Sequence, residues 1–159
     1  MKYVFVGLLI ISFLLGGLTT TALEQQQIPN PLTGATTAPE RAGPQNWIEQ
    51  KDIHVLQDHV RINIRGAKWA SFAPTGSMRP VLDAGAHAIQ IQPTSTEQIH
   101  IGDIITYDHN GRKIIHRVVD IQQDAQGVYY TVKGDNNNTP DPVKVRFEDV
   151  ERVVVAIIY

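Results

Sequence analysis

Ser77 is the first of three residues in this 159-residue chain whose side chains could take part in hydrolysis. It lies in the hexapeptide TGSMRP at positions 75–80, where Gly76 permits unusual backbone angles and Pro80 fixes its own φ. The pattern predicts a turn where a loop meets a regular element, with the hydroxyl presented to solvent. Such a hydroxyl can act as a nucleophile, although a serine between glycine and proline is most often a plain turn residue.

His116 is the second such residue, and it precedes Arg117 within an apolar run that is typical of a β-strand. On a strand, Ile114, His116 and Val118 share one face. The unperturbed pKa of an imidazole is about 6.5, which suits a general base and acid near neutral pH. A single histidine on an apolar face is more often a buried structural residue, so both interpretations stay open for this segment alone.

Two carboxylates follow in the polar octapeptide GDNNNTPD at positions 134–141. Asp135 and Asp141 are its acidic residues, and composition alone predicts an ordinary Asx-rich loop. Hydrolysis of a peptide bond by acyl transfer requires a hydroxyl, a base, a group that orients the base, and donors to the developing oxyanion. Each of these groups has a candidate in the three segments.

The three segments together resemble those of type I signal peptidases, in the archaeal and endoplasmic-reticulum branch that uses histidine where the bacterial branch uses lysine. The resemblance covers roughly half of the chain and implies Ser77 as nucleophile and His116 as general base. It also implies that Asp141 orients His116 and that Asp135 has a supporting role. By the same resemblance, the backbone N–H of Ser77 and the hydroxyl of Thr75 form the oxyanion hole.

The resemblance also implies a substrate and a setting. The enzyme would be a membrane-bound serine endopeptidase that removes signal peptides from exported preproteins, cutting after small residues at the first and third positions before the scissile bond. Its partners would be these preproteins and the lipid bilayer, with accessory subunits left unspecified. Confinement of enzyme and substrate to one bilayer would raise their effective concentration.

Composition narrows the alternatives. The net charge is −2, from 14 basic and 16 acidic residues, so no polybasic surface for nucleic acid is expected. The absence of cysteine excludes disulfides, thiolate metal sites and cysteine nucleophiles. The other histidines, at positions 54, 59, 87, 100 and 109, show no paired metal-ligand spacing, so a zinc hydrolase is not expected. No Walker or dinucleotide glycine pattern is present, and the resemblance implies no metal or organic cofactor.

The first 23 residues predict a transmembrane signal anchor. The run from position 3 to position 23 has 21 uncharged residues, and about 20 suffice to cross the hydrocarbon core. Lys2 before the run and Glu24 after it favour an extracytoplasmic location for the remainder. The small residues at 20–22 also fit a cleaved signal peptide, but the resemblance favours a retained anchor and a single-pass membrane protein.

The remaining chain divides into a linker and a folded domain. Residues 24–46 are rich in Gln, Pro, Thr and Gly, which predicts a flexible linker. Residues 47–159 predict a mainly β fold, specifically a signal-peptidase-like β-rich catalytic domain, closed or folded over to hide its edges. Strands are predicted at 53–56 and 60–65, both half-buried, and at 86–92, 99–107 with a bend at 102–103, 113–121, 128–133 and 152–159. Asn-Gly at 110–111 predicts a hairpin, 124–127 a second hairpin, and 147–150 a helical turn. Trp69 and Phe72 are either groove-lining residues beside Ser77 or ordinary core aromatics.

Two other functions stay open. A self-cleaving or regulatory protease of the SOS-repressor type would use a Ser-Lys pair, for which Lys113 is the candidate base. A catalytically inactive, membrane-tethered β module would instead bind extracytoplasmic partners without cutting them.

Overall fold

The part of the chain that the computed structural model describes, residues 41–159, is mainly β, as predicted. Its strands are β1 (Ile53–Val55), β2 (Val60–Ile62), β3 (Lys68–Ser71), β4 (His87–Ile91), β5 (Ile104–His109), β6 (Arg112–Asp124), β7 (Gly127–Lys133) and β8 (Val150–Ile158). Single turns of 3-10 helix lie at Gln50–Asp52, Thr96–Gln98 and Phe147–Asp149, the last close to the predicted helical turn. No helix within 41–159 has the length and apolar character needed to cross a bilayer. The predicted anchor at 1–23 and the predicted linker up to residue 40 lie outside the described residues.

Six strands form one sheet in the order β3-β4-β8-β5-β6-β7, with antiparallel neighbours. The last strand in sequence, β8, therefore lies inside the sheet between β4 and β5. Its neighbouring residues Val153 and Val154 belong to two different hydrophobic clusters, as do Ile104 and Ile105 on β5. Because successive side chains on a strand point to opposite faces, both faces of the central strands are covered, which explains the nearly all-apolar sequence of β8.

The two clusters have different roles in the architecture. The first contains Tyr107, Val118, Tyr130 and Val132, all at most 1% exposed, and forms the main core of the sheet. The second contains Met78, Leu82 and residues of β4, β5 and β8. Because Met78 directly follows Ser77 and Leu82 lies one turn further on, this second cluster fixes the serine turn against the sheet.

Both predicted hairpins are confirmed. Asn110 and Gly111 have φ values of 55° and 77°, the left-handed pair that a two-residue type I′ turn requires, and His109 pairs with Arg112 across it. In the resulting register Ile105 lies opposite His116 and Tyr107 opposite Ile114. In the second hairpin Asp124 pairs with Gly127.

Three details of the sequence prediction were wrong. The strands at 53–56 and 60–65 are shorter and exposed: Ile53, Val55 and Val60 are 43%, 78% and 58% exposed, because β1 and β2 pair only with each other and have no core face to cover. The strand predicted from 99 begins at 104, because Gly102, with φ 102°, forms a turn before it. Strand β3 was not predicted.

The sheet is also not closed by strand pairing among the described residues. Its outer strands are β3 and β7. The outer edge of β7 is partly covered, since Tyr130 and Val145 exchange two backbone hydrogen bonds of 2.8 and 3.1 Å.

Candidate active site

Ser77 begins the turn that follows strand β3, as the sequence predicted for it. Gly76 adopts φ 72°, and the turn is closed by the amide of Arg79 donating to Gly76 O at 3.2 Å. One turn further, the amide of Leu82 donates to Met78 O at 2.9 Å. Since Met78 and Leu82 are 3% and 2% exposed, the turn is anchored from below while Ser77 itself stays partly exposed.

His116 lies between Ser77 and Asp141, on strand β6. Its Nε2 is 3.2 Å from Ser77 Oγ, and its Nδ1 is 2.5 Å from Asp141 Oδ2. An ionised carboxylate can only accept, so Nδ1 carries the proton and Nε2 is left to accept from the serine hydroxyl. The side chains of His116 and Asp141 are 9% and 13% exposed, which shields their interaction from water. This arrangement has the geometry that a nucleophile, a base and an orienting acid require.

Asp141 reaches this position because its loop returns to the sheet. The amide of Asp141 donates to Val132 O at 2.9 Å, so the backbone is fixed at the end of β7. A second donor also contacts the carboxylate: the hydroxyl of Tyr107 on β5 lies 2.6 Å from the same oxygen, Oδ2. Burial, and next the hydrogen bond to Asp141, raise the pKa of Tyr107, so its hydroxyl stays protonated as a donor.

Thr75 lies against the nucleophile. Its Oγ1 is 3.2 Å from Ser77 Oγ, and the amide of Ser77 points to the same Thr75 oxygen over a long 3.4 Å. If Ser77 donates to His116, then the Thr75 hydroxyl donates to Ser77 Oγ and accepts from the amide. An amide and a hydroxyl thus lie next to the nucleophile, where donors to an oxyanion are needed.

Asp135 is hydrogen-bonded to Arg117 and not to His116. Its carboxylate accepts two hydrogen bonds from Arg117, at 2.8 Å from Nε and 2.7 Å from Nη2, and the side chains are 3% and 9% exposed. Arg117 also donates to Gly102 O at 2.7 Å, and Arg41 Nη1 lies 3.8 Å from Asp135. Asp135 therefore joins the loop that carries Asp141 to strand β6.

The same loop holds the serine turn directly. The amide of Asn136 donates to Ser77 O at 2.8 Å, and the Asn136 side chain donates to Gly76 O at 3.1 Å. The amide of Asp135 lies 3.5 Å from Met78 Sδ. A Cβ on Gly134 would come within 2.7 Å of Ser77 O, so only glycine allows this close approach.

A groove of about 540 Å³ opens beside Ser77 and His116. Phe72 and Leu82 give it an apolar wall, and Lys113, Glu151 and Arg152 lie along it. Phe72 thus lines the groove, as one of its two predicted roles had it. Trp69 is neither a core residue nor among those that line this groove: it is 63% exposed and tilts against the His87 ring at 5.5 Å.

Lys113, the candidate base of a Ser-Lys pair, forms an ion pair with Glu151 instead. Its ammonium lies 2.6 and 2.8 Å from the two carboxylate oxygens of Glu151. His116, and not Lys113, is bonded to Ser77.

Tyr107, Arg117 and Asn136 are the site residues whose contacts sequence reasoning missed. Arg117 was noticed only as the neighbour of His116, and Asn136 only as part of a polar loop. Tyr107 lies on a correctly predicted strand, but no local pattern marks the partner of its hydroxyl. A buried tyrosine hydroxyl needs a hydrogen-bond acceptor, and this need is the one signal that pointed to such a contact.

Comparison with known proteins gives one similarity to a curated protein that bears on this geometry. The chain is 31% identical over 77 residues to Signal peptidase I W of Bacillus subtilis (strain 168), and the match covers 48% of this chain. It covers 40% of that protein, so the chain matches well under half the length of its relative. No protein-family model matches the chain. No solved structure matches it significantly. The similarity supports a signal-peptidase-like protein at the level of the family.

Proposed function

We propose that this protein is a membrane-bound serine endopeptidase of the signal peptidase I type, which removes signal peptides from exported preproteins. The observation that carries the proposal is the relay of Ser77, His116 and Asp141, with contacts of 3.2 and 2.5 Å. The partial similarity to Signal peptidase I W supports the same class of enzyme. Use of histidine as the base would assign the chain to the archaeal and endoplasmic-reticulum branch.

The reaction follows from the direction of the hydrogen bonds. Ser77 Oγ attacks the carbonyl carbon of the scissile bond while its proton passes to His116 Nε2. The imidazolium is stabilised by Asp141, and the oxyanion accepts from the Ser77 amide and the Thr75 hydroxyl. His116 then gives its proton to the leaving amine, and a water molecule, activated by the same base, releases the acyl group.

The groove beside Ser77 would hold the substrate in an extended form. Its apolar wall, which includes Phe72 and Leu82, suits the apolar part of a signal peptide. Small residues are expected at the first and third positions before the cut, as the family resemblance implies. The anchor at 1–23 and the linker at 24–46 would hold the catalytic domain, from 47 to 159, on the extracytoplasmic side of the bilayer.

The decisive experiment is cleavage of a reporter preprotein by the full chain reconstituted in liposomes. We expect that Ser77→Ala abolishes cleavage, because no other hydroxyl in the described region is bonded to His116. Since Asp141 orients the base, Asp141→Ala should lower kcat by about 10⁴-fold with a small effect on KM. Equal cleavage by the wild type and Ser77→Ala would leave an inactive binding module as the better assignment.

The Ser-Lys alternative is tested by a matched pair of variants in the same assay. His116→Ala removes the proposed base and should eliminate cleavage, whereas Lys113→Ala breaks only an exposed ion pair with Glu151 and should leave kcat within a fewfold of wild type. Loss of activity in Lys113→Ala alone would favour the SOS-repressor type of mechanism.

A further inference from the structure

The hydroxyl of Tyr107 is a part of the site that the three-residue relay does not require. It lies 2.6 Å from Asp141 Oδ2, the same oxygen that is 2.5 Å from His116 Nδ1. Tyr107 is 1% exposed and sits in the main core cluster, so the hydroxyl is held in place by the surrounding packing. Two donors from two neighbouring strands, β5 and β6, thus converge on one carboxylate oxygen.

This shared oxygen has an electrostatic consequence. A donor that binds a carboxylate oxygen takes up part of its negative charge, and the charge left to stabilise a neighbouring imidazolium is smaller. The effect is strong in this position because both the phenol and the imidazole are largely shielded from water.

We propose that Tyr107 is a positioning residue that sets the proton affinity of His116 by competing with it for Asp141 Oδ2. Without the phenol hydroxyl, Asp141 would hold the imidazolium more tightly, and His116 would stay protonated to a higher pH. The neutral imidazole is the form that can accept a proton from Ser77, so this competition bears on catalysis. The catalytic consequence rests on the proposed function, but the change in the titration of His116 does not.

Other charges around the relay are left in place by a change at Tyr107. They are Lys113 and Arg117 on β6, Glu151 and Arg152 on β8, Lys133 on β7, Asp83 after the serine turn, Asp135 in the loop after β7, and Arg41 at the start of the described residues. Lys113 pairs with Glu151, Arg117 pairs with Asp135, and Lys133 donates to Asn137 O. None of them is hydrogen-bonded to Tyr107 in the described region, so a shift caused by Tyr107→Phe is carried by Asp141.

The test that does not need catalysis is the titration of His116 by NMR. The full chain, in detergent micelles and labelled in its histidine rings, is titrated as wild type and as Tyr107→Phe, with the His116 signal assigned from His116→Ala. We expect the midpoint of His116 to rise by about half to one pH unit in Tyr107→Phe, because one donor to its counter-ion is lost. An unchanged or lowered midpoint would overturn the proposal, whether or not the chain is a peptidase.

A matched control is available in the same core. Tyr130 is also fully buried, but its hydroxyl donates to Thr96 O at 3.2 Å and is not hydrogen-bonded to Asp141. Tyr130→Phe should therefore leave the titration of His116 unchanged. If both variants shifted it equally, general loosening of the core would explain the shift and the proposal would be wrong.

The activity arm uses the liposome assay. Tyr107→Phe should move the acid limb of the profile of kcat/KM against pH upward by the same amount as the NMR midpoint, while Tyr130→Phe should not. In an Asp141→Ala background, Tyr107→Phe should have no further effect on the His116 midpoint, because the shared carboxylate is gone. A wild type that cleaves nothing would refute the proposed function and leave the NMR result to decide this inference.

A measurement on the wild type tests the proposal even if Tyr107→Phe folds poorly. The phenolic proton of Tyr107, bonded to a buried carboxylate, is expected as a slowly exchanging signal far downfield, and Asp141→Ala should remove it. Its presence in Asp141→Ala would show that the hydroxyl has another acceptor and would contradict the proposal.

Discussion

In the described region, the side chains that are hydrogen-bonded to Ser77 Oγ are those of His116 and Thr75. The Thr75 hydroxyl is 3.2 Å away. A second hydroxyl in this position has little value for the stability of an exposed turn. In the proposed mechanism it would act in the transition state, where negative charge develops on the substrate oxygen and donors that are already in place stabilise it.

Replacing Thr75 by valine removes this hydroxyl and keeps the branched shape of the side chain. We expect kcat to fall by about a hundredfold, the usual effect of losing one oxyanion donor, with KM little changed. Thr75→Ser keeps the hydroxyl and serves as the control, with kcat within a fewfold of wild type. Steady-state cleavage of the reporter preprotein measures both, and a fully active Thr75→Val would exclude Thr75 from the oxyanion hole.

The buried ion pair of Arg117 and Asp135 is the other feature at the scale of residues. It distinguishes Asp135, which is hydrogen-bonded to Arg117, from Asp141, which is hydrogen-bonded to His116. Removing one partner of a buried ion pair leaves an uncompensated charge, which costs about 3 kcal/mol or more in the free energy of unfolding. Asp135→Ala should therefore lower this free energy by about 3 kcal/mol, measured by urea denaturation. Lys51→Ala, which breaks an exposed pair with Glu49, should leave it unchanged. Equal midpoints for the two variants would mean that the Arg117–Asp135 pair does not hold the loop.

At the scale of elements, the site is an assembly of one turn, one hairpin and one loop. The β5–β6 hairpin carries Tyr107 and His116, and its register follows from the Asn110-Gly111 turn. The loop after β7 carries Asp141 and, through Asn136, holds the backbone of Ser77. The hydrogen bonds within this assembly join residues that are distant in sequence.

Gly134 is where the loop and the serine turn approach most closely. In Gly134→Ala the added methyl would lie 2.7 Å from Ser77 O, and backbone atoms would have to move apart. We expect kcat to fall by about tenfold or more, because a shift of the nucleophile by a fraction of an ångström disturbs its alignment. Gly43→Ala, where a methyl meets nothing within 4 Å, is the control and should behave as wild type in the same assay. Wild-type kcat in Gly134→Ala would show that the contact does not position Ser77.

The sequence predicted the local parts of this assembly because their signals are local. Asn-Gly at 110–111 dictates a two-residue hairpin, and alternation in 86–92 predicts β4, which is observed. It did not predict β3, whose Lys68 to Ser71 lack a clear period of two, nor the exposure of β1 and β2. Alternation marks a strand with two unlike faces, but the element that covers the apolar face is fixed only by tertiary packing.

The same limit applies to the site. Ser77, His116 and Asp141 were selected from their segments through a family resemblance, and the contacts among them join residues 25 and 39 positions apart. No pattern within a segment could have paired Tyr107 with Asp141, or Arg117 with Asp135. Such pairs depend on strand order, and the insertion of β8 between β4 and β5 was not apparent from the sequence.

On the scale of the whole molecule, Asp103 attaches the amino-terminal end of the described residues to the rest of the domain. This carboxylate is fully buried and accepts from the amides of Gln45 and His100, at 3.0 and 2.9 Å, and from Trp47 Nε1 at 3.1 Å. The backbone at Gly43 also passes so close to Gly102 that a Cβ there would lie 2.0 Å from Gly43 O. The residues from 43 onward, at the carboxy-terminal end of the predicted linker, therefore contact the folded domain.

The attachment can be tested through the fluorescence of Trp47. The chain has two tryptophans, so a Trp69→Phe background leaves Trp47 as the only reporter. In this background, Asp103→Ala leaves these part-buried donors without their acceptor and should lower the free energy of unfolding by about 2 kcal/mol. The emission of Trp47 should move to longer wavelength, since its indole, now packed against the main core, would become more hydrated. Asp58→Asn, at a side chain that is 85% exposed, is the control and should change neither quantity. If the emission did not shift in Asp103→Ala, hydrophobic packing alone would fix the segment that contains Trp47, and Asp103 would not contribute to its attachment.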